Sequence, residues 1–130
     1  MGVFDSAISF EARAMAYYPT PDDHSTPENR LEGGPVDRRG NPLCTLQGFL
    51  AGATPYVSVA MDRDNGLPYG TVLVIPALNS RYARLIPFLV VDTGSAFRDK
   101  GLTRLDICVA DKAASLDPAV NATLDVIALR

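Results

Sequence analysis

Tryptophan is absent from this 130-residue chain, and histidine occurs once, at His24. One imidazole excludes a multi-histidine metal centre. It also leaves Ser95, Thr93, Cys44 and Cys108 without a base for nucleophilic catalysis, because His24 lies in a proline-rich stretch. The two cysteines are not in CxxC or zinc spacing. Cys108 falls in an apolar, strand-like run, where a free buried thiol is the plainer reading and a disulfide with Cys44 stays open. Basic residues number 12 against 15 acidic ones, net charge −3, with no basic stripe. That argues against nucleic acid, whose phosphates require clustered Lys and Arg. No apolar run reaches the roughly 18 residues of a membrane span. Met1-Gly-Val-Phe-Asp5 lacks the basic head and apolar core of a secretory leader.

Apolar residues make up 47% of the chain, enough to supply a core for one domain over 1–130. Ten glycines and ten prolines suit short strands and turns better than long helices. Residues 8–18 alternate, with Ile8, Phe10, Ala12, Ala14 and Ala16 on one face, and predict a first strand. Residues 19–55 form a long loop region, with a short helix or turn near Leu43–Phe49. Further strands are predicted at 56–61, 71–75, 84–91, 104–109 and 124–129. Asn79-Ser80 reads as a turn, and 110–121 as a short helix that Asp111 could cap, with Pro118 late in it. With no strand–helix alternation, the expected fold is mainly β: a six-stranded barrel with one or two short helices, closed so that no edge strand is exposed. No internal repeat of fixed period is visible.

Three carboxylates stand out. Asp62 and Asp92 end apolar strands, and Asp106 sits inside one between Leu105 and Ile107. A buried carboxylate is costly unless paired or hydrogen-bonded. Gathered acids push one another's pKa values apart, leaving one protonated as a general acid. Glycosidic cleavage needs such an acid, to deliver a proton to the leaving oxygen. The plainer alternative makes Asp62 and Asp92 turn caps, and Asp106 a surface carboxylate beside Arg104. Asp92-Thr93-Gly94 also matches aspartic proteases, which here would require a homodimer, although the closing strand has no glycine after Gly101. Tyr17, Tyr18, Tyr56 and Tyr69 could line a sugar groove or simply pack.

In order, five short segments resemble the three-aspartate (3D) domain family, double-psi β-barrels found in membrane-bound lytic transglycosylase A and small bacterial cell-wall enzymes. The segments are Ala14-Met-Ala-Tyr17-Tyr-Pro19, Val59-Ala-Met-Asp62, Leu67-Pro-Tyr-Gly70-Thr71 running to Ile75-Pro76, Asp92-Thr-Gly94-Ser-Ala96 with Lys100-Gly101, and Arg104-Leu-Asp106-Ile. Ser95 replaces a glycine, the interval from Asp92 to Asp106 is longer than the family's, and 20–55 differs from its usual loop.

The resemblance implies a lytic transglycosylase that cuts peptidoglycan between N-acetylmuramic acid and N-acetylglucosamine. Asp106 would be the single acid/base, Asp92 would tune it, and Asp62 would complete the network. Tyr17, Tyr69, Thr93, Gly94 and Arg104 would contact substrate. It implies no metal and no cofactor. The partner is peptidoglycan or another polysaccharide, met by a monomer in the cell envelope or outside the cell. Without a leader in the chain, that requires another export route or a truncated sequence. A non-catalytic, expansin-like glycan-binding barrel is the alternative; the dimeric aspartic protease is the weaker one.

Overall fold

A computed structural model describes residues 7–19 and 35–129 of the chain. Residues 20–34 of the predicted 19–55 loop, with His24, lie outside the described residues, as do residues 1–6 and 130. The elements are β1 (Ala7–Tyr17), α1 (Leu46–Leu50), β2 (Val57–Met61), β3 (Thr71–Val74), α2 (Pro76–Tyr82), β4 (Phe88–Asp92), β5 (Arg104–Cys108) and β6 (Thr123–Leu129).

The strands close into one mixed barrel in the order β1-β5-β2-β4-β3-β6. Pairs β1/β5 and β2/β4 are parallel; the other four pairs are antiparallel. This is the mainly β, six-stranded barrel with two short helices that the sequence predicts. Exchanging β1, β2 and β3 for β4, β5 and β6 maps every pairing onto another pairing. The barrel is therefore two half-barrels interlocked about a pseudo-twofold axis. Nothing in the sequence repeats to announce it.

Alternation fills the interior. In β2, Val-Ser-Val-Ala-Met, the large Val57, Val59 and Met61 enter the main core. They meet Phe88 and Val90 from β4, Leu105 and Ile107 from β5, and Leu73 from β3, all at most 1% exposed. Each such side chain contributes about 1.5–3 kcal/mol by leaving water. Ala12 and Ala14 of β1 and Ala128 of β6 are the small residues that let the wall close around these larger ones.

Two local predictions change. Asn79-Ser80 is inside α2 rather than a turn. Pro76 starts that helix, where its missing N–H costs nothing. Ala83 ends it in the left-handed conformation, at φ 54°, without the usual glycine. The Asn79 side chain accepts from Ile86 N (3.0 Å), which ties the helix to the following connection. Strand β4 consequently starts at Phe88. Residues 110–121 form two 3₁₀ turns, Ala114–Leu116 and Pro118–Val120, rather than one helix. Pro118 has no N–H to continue a helix, so Asp117 caps a second turn through Ala119 N (2.9 Å). The N-cap of the first is Ala113, which makes no side-chain cap bond, rather than Asp111, whose side chain accepts from Ala114 N at 2.8 Å.

Candidate functional site

The site begins as a row of residues across four adjacent strands. Met15 of β1 pairs with Asp106 of β5, Asp106 with Ala60 of β2, and Ala60 with Asp92 of β4. Residues opposite in register share a face of the sheet. Val59, Met61, Leu105 and Ile107 occupy the core, so the row points outward from the barrel. Two inter-strand steps put the Asp106 and Asp92 backbones roughly 10 Å apart, with only a methyl group between them.

Asp92 reaches this face through an irregularity. Strict alternation from Phe88 and Val90, both in the core, would send Asp92 inward as well. The β2/β4 register shifts between Val59 and Ala60, so that Val90 opposes Val59 but Asp92 opposes Ala60. The extra residue, Val91, reverses the parity of the strand end.

A satellite cluster of Tyr17, Ala60, Phe97 and Cys108, with Leu43 against it, covers part of the outer face. The Tyr17 hydroxyl donates to Asp92 Oδ2 (3.3 Å), and Thr93 N donates to Oδ1 (2.9 Å). Burial pushes the Asp92 carboxyl up to about 6; the Asp37 charge adds to this, while the two hydrogen bonds and Arg38 oppose it. Asp106 is 9% exposed. Arg104 grips it as a fork, Nε to Oδ1 at 3.2 Å and Nη2 to Oδ2 at 3.4 Å. Burial raises its pKa and Arg104 pulls the other way, leaving it above the ordinary value. The Arg104 guanidinium in turn lies over the Phe97 ring, 5.0 Å from its centroid. Each carboxyl is raised chiefly by its own burial. The mutual repulsion that the sequence suggested is not the main cause.

Asp62 behaves differently. It accepts from Asp64 N (3.0 Å) and Gly101 N (2.8 Å). Those backbone donors hold it below the ordinary carboxylate range, so it stays ionised. It ties the exit of β2 to the β4–β5 connection, where Gly101 takes φ 58°. Among the described residues no hydrogen bond joins Asp62 to Asp92 or Asp106. The turn-cap alternative describes it well. Asp106 likewise stands beside Arg104, as the plainer alternative has it, but it is buried there.

The predicted substrate contacts divide. Thr93 is half-buried and Gly94 exposed at the mouth of the row. A Cβ on Gly94 would meet only the Phe97 ring, at 3.8 Å, an ordinary contact, and its φ of −178° is open to any residue. Nothing inside the chain requires glycine there. Tyr17 is 8% exposed and its hydroxyl is engaged, so it orients Asp92 and offers no free stacking face. Tyr69 is held by the 35–42 turn: it donates to Asp37 Oδ2 (2.5 Å) and accepts from Asn41 Nδ2 (2.9 Å).

That turn is what the sequence reading missed. Val36 and Pro42 bridge it. Asp37, 4% exposed, accepts from Arg39 N (2.9 Å) and Asn41 N (3.1 Å). Arg38 N donates to Val91 O (3.2 Å), which lays the turn along β4 beside Asp92. The available signal was Asp37-Arg-Arg-Gly40, an Asp and a Gly at the ends of a four-residue turn.

A cavity of about 390 Å³ is lined by Ser9, Phe10, Pro76, Asp125, Val126 and Ile127. Phe10 and Tyr17 are roughly 23 Å apart along an extended strand. The cavity therefore belongs to the far end of β1 and contains none of the carboxyls above. Among the described residues, no three His, Cys, Asp or Glu side chains are grouped to hold a metal ion, and no helix is long and apolar enough to cross a membrane. No protein-family model matches the chain, and a search of curated proteins finds no relative.

Proposed function

We propose that the outward face of β5, β2 and β4 cleaves a glycan, with peptidoglycan as substrate and lytic transglycosylation as the reaction. The carrying observation is the single row holding Asp106 and Asp92, two carboxyls that burial keeps more proton-retentive than usual. Gly94 supports it: an exposed glycine with no internal need for one fits close approach by a ligand. The ordered resemblance to the three-aspartate family supplies the substrate class.

In this reading Asp106 gives its proton to the glycosidic oxygen as the C1–O4 bond breaks. The resulting carboxylate is stabilised by the Arg104 fork already in place. It then takes the proton of the muramic acid 6-hydroxyl as O6 bonds to C1, closing a 1,6-anhydro ring and restoring the acid. The steps balance without water. Asp92, oriented by Tyr17 and Thr93, hydrogen-bonds the sugar beside the scissile bond. Asp62 keeps the wall in shape. The substrate would place the protein in the cell envelope or outside the cell, acting as a monomer.

Incubation with purified peptidoglycan followed by mass spectrometry tests the proposal. Anhydromuropeptides from the wild type, and none from Asp106→Asn, are expected. Equal release by both would overturn it. The Arg104–Asp106 ion pair also favours a second reading, a non-catalytic glycan-binding barrel in which that acid is neutralised. Such a protein would sediment with cell walls without shortening their chains.

A further inference from the structure

The 35–42 turn places beside Asp92 an arginine that forms no ion pair within 4 Å among the described residues. Arg38 Nη1 is buried from solvent and has no hydrogen-bond partner among the described residues. A guanidinium nitrogen is an obligate donor, and buried donors are normally satisfied. The acids nearby do not serve it. Asp37 is already taken by two backbone amides and the Tyr69 hydroxyl. Asp92 accepts from Tyr17 and Thr93 and makes no hydrogen bond to Arg38 among the described residues. Among the described residues neither acid forms an ion pair with Arg38.

The cation is held in position nonetheless. Arg38 N is bonded to Val91 O at 3.2 Å. Its guanidinium carbon is 5.5 Å from the Tyr69 ring centroid, and that of Arg39 is 4.1 Å from the same ring. Burial lowers the Arg38 pKa, and the Arg63 and Arg39 charges lower it further, while Tyr69 and Asp92 favour its charged form. Like charges gathered around one tyrosine beside an unsatisfied donor are arranged for an anion.

We propose that Arg38, supported by Arg39 on the Tyr69 ring, is a carboxylate subsite next to Asp92. Resting on the glycan reading above, it names the residue that reads the carboxylates of that substrate. Arg38 as a residue is only half-buried, and a planar carboxylate accepts two parallel bonds from a guanidinium. Two groups on a muramic acid chain carry this chemistry: the lactyl carboxyl itself, and the acids of a stem peptide attached to it.

Binding in the Asp106→Asn background separates these sources, using intact soluble peptidoglycan chains, the same chains stripped of peptide by an amidase, and chitohexaose. Binding of one or both anionic chains at least tenfold tighter than chitohexaose, reduced to parity by Arg38→Ala and weakened by Arg38→Lys, supports the subsite. Preference for stripped chains assigns the lactyl carboxyl; preference for intact ones assigns the peptide. Equal binding of all three, or a preference that survives in Arg38→Ala, overturns it while leaving the cleavage assay to judge the parent reading. A second measurement does not need a glycan: succinate titrated into the wild-type protein and followed at the arginine Nε–Hε resonances. A saturable shift confined to Arg38 and Arg39 supports the subsite even if no glycan is bound, and its absence overturns it.

Discussion

Strands β5, β2 and β4 have two unlike faces. Inward they present Leu105, Ile107, Val59, Met61 and Val90, all apolar and at most 1% exposed. Outward they present Asp106, Ala60 and Asp92, with Cys108 and Tyr17 beside them. The same backbone serves both. The inner face is continuous, so its tolerance is set by volume. The outer face is divided between groups whose burial is unfavourable and the few donors that compensate it. Stability therefore resides on one side of these strands, and the proposed chemistry on the other, in part against stability.

Substitutions on the two faces should separate along those lines. The largest effect is expected outward, at Asp106→Asn, which should lower glycan cleavage by on the order of 10²–10⁴-fold while leaving the melting temperature near wild type. A melting temperature lowered in step with activity would merge the two faces again. Inward, Leu105→Ala, one residue away, should cost about 2–5 kcal/mol in denaturant unfolding, with cleavage retained in whatever remains folded.

Asp92→Asn should act on both sides. Asp92 binds its proton more tightly folded, at about 6, than unfolded, at the ordinary carboxyl value of 3.8. Its contribution to stability is therefore full below the unfolded value and is lost as pH rises through about 6. Asparagine keeps one oxygen for Thr93 N, turns an N–H donor toward the Tyr17 hydroxyl oxygen in place of the second acceptor, and has no proton to lose. The variant should match wild type near pH 4 and exceed it above pH 7 by about 1–2 kcal/mol, a figure reduced for partial solvent screening. Urea midpoints across that range measure it; a constant difference at all pH values would rule out the titration of Asp92 as its source.

The smallest effect should be at Cys108. Burial pushes its thiol well up, so alkylation should proceed only as fast as the barrel opens. Labelling of the native protein faster than global unfolding would show the outer face to be looser than the inner.

Much of this was legible in the sequence because the strands obey simple parity. The β-branched runs at 57–61 and 71–74, and the alternation through Ala12 and Ala14, specify both strand type and facing. The outward position of Asp106 between Leu105 and Ile107 follows from the same rule. Asp92 is where parity fails, since its facing depends on an extra residue opposite Ala60 that only the pairing partner reveals. Asp37 was illegible for a related reason. An Asp in a polar, proline-rich stretch looks like any turn residue, and its importance comes from Tyr69 and Asn41, contacts made by folding. Helix α2 was hidden because Asn79 resembles a turn former until Ile86 supplies the amide its side chain accepts.

Closure of the barrel has a bearing on how the protein is made. Strand β1 is synthesised first, yet both its neighbours, β5 and β6, come from the last quarter of the chain. A ribosome must pass Arg104 before the opening strand finds a partner among the described strands. Until then its eleven residues are an unpaired, partly apolar edge, open to pairing with another nascent copy. Premature termination before Thr123 would leave the Ala7–Arg13 stretch of that edge without β6, so such fragments should aggregate rather than persist as partly folded barrels.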